Sequence, residues 1–230
     1  HVFVSDDGPY VIRAALIRPD RAGELLSWVV EQAGDALPEL VPQIASVPML
    51  GGRDAVGPRL LALLADLLER RPSFELRKLE VLLLQSSRVW GDGTRYERSA
   101  SALLAGAETL AQTAEALFFK GVERLDAHQV TQAGPTIQAA REHLAAASSL
   151  AASHSLSRFV HFSILVSSGN AARRGDDADP SKAIAFYEEA ARIGADSEHE
   201  EARLAKVRAD VMVERGTDVD IREALGLLEH

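Results

Sequence analysis

Ala183, Tyr187 and Ala190, spaced four and three apart, set one large side chain between two small ones on a single helix face. The spacing returns at Ala140, Leu144, Ala147 and at Ala100, Leu104, Ala107. It recurs without the small-large-small character at Leu60, Leu64, Leu67 and at Ala22, Leu26, Val29, and it starts again at Ala224 and Leu228. The first members stand at 22, 60, 100, 140, 183 and 224, which gives steps of 38, 40, 40, 43 and 41. Gly175 and Gly216 keep the same step independently, each eight residues ahead of its alanine. A near-constant step of this size marks a supersecondary unit that cannot bury its apolar face alone and must stack on copies of itself.

The unit is helical. Aromatic residues make up 5% of the chain, β-branched runs are scarce, and apolar residues recur at three and four rather than at two. Only residues 2–4 read as a short extended segment. Pro19-Asp20 opens a helix over 20–33, ended by Gly34 and Pro38. Pro38, Pro42, Pro48 and Gly51-Gly52 make 35–57 poor ground for a continuous helix. Pro58 is expected to start a helix to residue 71, and Pro72-Ser73 to stop it and cap the next, over 74–89. Gly91-Asp-Gly93-Thr94 reads as a turn, and the helical pattern over 96–126 is long enough to require a break near Gly106. Further helices are expected over 134–153, 156–174, 181–193 and 197–215 and from 220 onward, with a turn at 153–157. In the turn 175–180, Gly175 supplies positive φ and Pro180 prepares the next start.

The stretch Ser168-Gly169-Asn170-Ala-Ala-Arg-Arg-Gly175, followed by Pro180-Ser-Lys-Ala183-Ile-Ala-Phe-Tyr187-Glu-Glu-Ala190, resembles the tetratricopeptide-repeat family. It is similar to that family's small-residue first helix, glycine turn and Ala, aromatic, Ala second helix. The resemblance is best over residues 156–228, where Ala209 and Gly216 also fit, although Leu228 replaces the aromatic and the step near 41 exceeds the family's usual one. It implies an all-α fold of antiparallel helix pairs stacked as a right-handed solenoid with longer helices. Residues 58–227 are expected to form this array, 1–57 an N-terminal helical segment with a Pro-rich stretch, and 228–230 a remnant of a vector tag. The sequence reads as a fragment of a larger protein.

Composition narrows the work such an array can do. With 34 acidic against 25 basic side chains the formal net charge is -9, which opposes attraction to nucleic acid. No secretory leader is visible in the first residues, and the absence of cysteine fits a reducing, cytoplasmic setting. The apolar stretch 144–168 contains Arg158 and His161 and reads as two soluble helices rather than a membrane span.

Catalytic signatures are missing. Gly51-Gly52 and Gly91-Asp-Gly93 lack the spacing and the lysine of a phosphate loop, and there is no Gly-x-Ser-x-Gly elbow. His199-Glu-Glu lacks the second histidine of a zinc-protease helix, His154 and His161 are separated by a turn, and Asp176, Asp177 and Asp179 lack calcium-loop spacing. The chain is read as a non-enzyme with neither cofactor nor metal; only a pocket gathering titratable groups such as His143 or His161 would argue otherwise.

Two polar stripes remain. Ser163, Ser167, Asn170 and Arg174 step four, three and four along one helix, and Arg203, Lys206, Asp210 and Glu214 do so on the first helix of the next pair. In an array resembling this family, first helices line the concave face. Ser163, Ser167, Asn170, Arg174, Arg203, Lys206 and Asp210 are therefore the candidate partner-binding residues, with Asn170 meeting a peptide backbone and the cations meeting carboxylates. The run Val81-Leu-Leu-Leu84 reads as core, as do Trp28 and Trp90, although either tryptophan could anchor a partner. The function expected is protein or peptide binding as a scaffold or regulatory domain, with other domains of the parent chain as partners; a peptide or small-ligand sensor is the alternative.

Overall fold

A computed structural model describes residues 53–86, 93–153, 156–195 and 197–228 of the 230. The expected segments at 2–4 and 20–33, Trp28 and Trp90 lie outside the described residues. Every regular element among those described is a helix, and no strand occurs among them. None of these helices is long and apolar enough to cross a membrane. The chain divides into two units, residues 1–107 and 108–230.

In the first unit, α1 (Arg53–Arg70) packs on α2 (Phe74–Ser86), and α2 on α3 (Gly93–Ala105). α1 starts upstream of Pro58, so the proline lies inside the helix instead of opening it. Near a helix start this forfeits a single backbone bond. Ser73 caps α2, its Oγ accepting from the Leu76 N–H at 3.2 Å. Leu64, Leu67, Leu79, Val81, Leu83 and Leu103 form the buried interior, which assigns most of the 81–84 run to the core. Glu80 is 4% exposed within it and is held by three groups: Arg95 at 2.9 Å, Ser99 Oγ at 3.0 Å and Arg77 at 3.2 Å. Arg95 also donates to the Leu61 carbonyl, so one buried carboxylate ties the three helices together.

The second unit contains α4 (Leu110–Thr131), α5 (Gly134–Ser153), α6 (Arg158–Ala172), α7 (Pro180–Ile193), α8 (Glu198–Arg215) and α9 (Asp218–Leu228). The break expected near Gly106 is present, and Thr109 opens α4 with a reciprocal capping box to Gln112. Ser157, Asp179 and Ser197 cap α6, α7 and α8 with side-chain oxygens. Gly175 and Gly216 both adopt positive φ, 86° and 74°, which an L side chain would strain. Short links make the successive pairs α4–α5, α6–α7 and α8–α9 antiparallel hairpins. α5 also packs on α6, α7 on α8, and the first helices α4 and α6 touch directly.

The triplets are the seams of these hairpins. Ala140, Leu144, Ala147 on α5 and Ala183, Tyr187, Ala190 on α7 are each no more than 1% exposed. Each large residue sits against a glycine of the preceding helix. A Cβ on Gly121 would lie 2.7 Å from Leu144 Cγ, and one on Gly169 would lie 2.3 Å from Tyr187 Cε1. Glycine is needed at both positions because the backbone itself forms the floor under the large side chain. The triplet at 100 departs from expectation: α3 stops at Ala105, so Ala107 lies beyond the helix, and Leu103 rather than Leu104 is the buried partner of Ala100.

Candidate interaction surfaces

The residues of the first polar stripe have separate roles. Asn170 accepts a hydrogen bond from the Tyr187 hydroxyl at 2.7 Å, which places its amide in the hairpin seam. Burial is the main reason the Tyr187 hydroxyl is pushed up to about 12, so it stays a protonated donor. Ser167 is buried and Ser163 half-buried on the same helix. Arg174 lies past the end of α6, where it lines a cavity of about 300 Å³ with His128, Gln129, Gln132 and Gly175. On α8, Arg203 and Lys206 are exposed, and Lys206 pairs with Asp210 at 3.2 Å. Glu214 pairs with Arg173, linking the ends of α8 and α6. The structure therefore brings Lys206 and Asp210 together and places Arg174 beyond the end of α6, with its charge felt at the Tyr187 hydroxyl.

A larger concavity lies elsewhere in this unit. α5, α6 and the start of α7 enclose a groove of about 370 Å³ lined by Leu144, Ala145, Ser148, Ala171, Ala172 and Phe186, with Arg141, Ser168, Asp177, Asp179 and Lys182 completing it. On α6 its residues, 168, 171 and 172, are displaced by one position from the stripe at 167 and 170, about 100° round the helix. The stripe and the groove are thus different faces of α6.

Arg141 builds one wall of the groove. From α5 its guanidinium donates to the Ala171 carbonyl at 3.1 Å, to the Arg174 carbonyl at 2.6 Å and to the Asp177 carboxylate. Two of these acceptors are backbone carbonyls around the end of α6, where orphan carbonyls and the helix dipole favour a cation. The hydrogen bond from Arg141 also holds the Asp177 carboxyl below its ordinary range. Asp179 Oδ1 accepts from the Lys182 N–H at 2.9 Å and opens α7. Sequence reading missed Arg141. It stands beside Ala140 of a triplet as an ordinary helix cation, and nothing local indicates acceptors 30 or more residues away.

Other titratable side chains gather on α4 and α5. Lys120 and Glu123, 6% and 4% exposed, pair at 2.9 Å on α4, and Arg124 approaches Glu123 at 3.4 Å. Nearby on α5, His143 is pushed below the usual imidazole value, first by burial and then by the charges of Lys120 and Arg124. Buried His128 places Nδ1 3.0 Å from the Ala133 carbonyl at the end of α4. His161 is half-buried on α6. Among the described residues, no three His, Asp or Glu side chains group as metal ligands would.

No protein-family model matches the chain, and no curated protein or solved structure matches it.

Proposed function

We propose that the second unit is a protein- or peptide-binding module, a scaffold or regulatory segment of a cytoplasmic protein. Its hairpins stack in the right-handed, tetratricopeptide-like manner that the 156–228 motif suggests. The observation that carries this reading is the groove between α5 and α7. It sets apolar side chains of α5, α6 and α7 beside polar and charged ones, a make-up able to hold side chains of a partner. Support for the stacking comes from the α4–α6 contact, which joins first helices of successive hairpins, and from the glycine seats under Leu144 and Tyr187.

The test is selection from a phage-displayed library of random dodecapeptides on the immobilised 230-residue chain, followed by titration of synthetic versions. Saturable binding with a shared consensus is the expected result. A selection that converges on nothing, repeated with a second library of longer segments, would remove the reading.

A further inference from the structure

We infer that the α5–α7 groove recognises a peptide segment in which a bulky apolar residue stands next to an acidic one. This rests on the interaction-module reading and names the ligand of that site.

The cavity exists because the α6 side chains beneath it are small. Ala171 and Ala172 form part of the floor, whereas the residues 41 positions on, at the step kept by Gly175 and Gly216, are Met212 and Val213. Met212 is 2% exposed and belongs to the buried cluster of α6 to α9, so at the Ala171 position the later hairpin fills with side chain what the earlier one leaves open, whereas Val213 stays 57% exposed. The volume of about 370 Å³ falls at the small end of ligand clefts, suited to one large side chain rather than a cofactor. The wall is fixed in place: Arg141 has three acceptors on or beyond α6, and a Cβ on Gly175 would lie 3.1 Å from Ile137.

Charge selects what accompanies the apolar side chain. Of the four charged groups in the lining, Arg141 and Asp177 neutralise each other, and Asp179, still anionic, turns one oxygen to the Lys182 N–H in the first turn of α7. Lys182 is exposed and has no carboxylate partner among the described residues, and the Ser148 hydroxyl has no hydrogen-bond partner among them. One ammonium and one hydroxyl beside an apolar floor suit a single carboxylate flanking the buried group. The chain's net charge of -9 opposes a polyanion such as nucleic acid or an anionic bilayer far more than a segment with one carboxylate, so the local Lys182 ammonium points to an acidic-apolar peptide as the occupant.

The deciding experiment uses the full chain and three fluorescein-labelled octapeptides that differ only in a central Phe-Glu, Phe-Lys or Ala-Glu pair, beside the peptides obtained by library selection. Fluorescence polarisation should rank Phe-Glu tightest. Lys182→Glu should weaken it about tenfold and transfer the preference to Phe-Lys. Ala171→Met, which copies the later hairpin, should weaken both Phe peptides at least tenfold. Because Ala171 is buried, Ala145→Trp at the exposed rim serves as a second way to block the groove, with circular-dichroism melts for both. Selected peptides that ignore Lys182→Glu and Ala145→Trp but lose binding with Arg203→Ala plus Lys206→Ala would overturn the groove assignment while leaving the module reading intact. Failure to obtain any binder would remove both.

Discussion

The α6–α7 and α8–α9 hairpins share a period, a glycine at positive φ and a buried alanine in the second helix, yet they handle equivalent positions differently. In the first, Tyr187 rests on the Gly169 backbone and hydrogen-bonds Asn170, while Ala171 and Ala172 leave a groove open. In the second, Ala209 and Met212 are packed into the cluster, and an acid takes over near the start of α9: Asp220, 41 residues after the N-cap Asp179, is 1% exposed. Asp220 accepts from Nε and Nη2 of Arg215 and from the Thr217 hydroxyl instead of capping its helix. The difference teaches that the period fixes where helices run, and that side-chain size and charge at each level then decide whether the level is sealed or open.

The contrast can be broken most strongly at Tyr187. Tyr187→Ala removes the ring from a fully buried site and should cost about 3–5 kcal/mol, read as a loss of thermal stability. Filling the seat from the other side, Gly169→Ala should cost about 1–3 kcal/mol by overpacking, and less in a Tyr187→Leu background where the ring is gone. The matching Gly121→Ala change meets the more adaptable Leu144 and should be milder; equal costs in the two hairpins would show that the ring contact has no special weight.

Acid sharpens the other half of the comparison. The hydrogen bonds from Arg215, and secondarily from Thr217, hold the Asp220 carboxyl far below its ordinary value of 3.8. A depressed folded value means its stabilisation is complete above the unfolded value and is lost as pH falls below it. Asp220→Asn should therefore melt at a lower temperature than the parent at pH 7, with the gap narrowing below about pH 4. A gap independent of pH would assign the effect to packing. The smallest change is Tyr187→Phe, which removes the hydroxyl that bonds Asn170 and faces Arg173 and should cost about 1 kcal/mol in chemical denaturation.

Much of this architecture can be read from the chain because its breakers act locally. Gly134-Pro135 opens α5, Pro72-Ser73 separates α1 from α2, and Gly106 marks the interruption before α4. The seam triplets on α5 and α7 are legible for a similar reason, since spacings of four and three report one face. At Ala100 that logic misleads, because helix length decides whether the third member is on the helix at all. The groove is not legible. It depends on small residues of α6 facing α5 and α7, and on an arginine whose acceptors are mostly carbonyls, which no side-chain pattern announces. The polar stripe was visible as a spacing, but its division between a seam bond at Asn170, a cavity at Arg174 and an exposed pair on α8 follows from packing.

Arg141 has a further consequence for the order in which the unit comes apart. Its guanidinium fastens the α4–α5 hairpin to two backbone carbonyls at the end of α6, whereas the side-chain tie from α6 to the α8–α9 hairpin, Arg173 with Glu214, reaches a side-chain carboxylate alone. A partly exposed ion pair adds less than bonds to fixed backbone carbonyls, so the α8–α9 hairpin should detach first. Amide deuteration would then spread from α9 and α8 inward, with the groove among the last places to lose its protection.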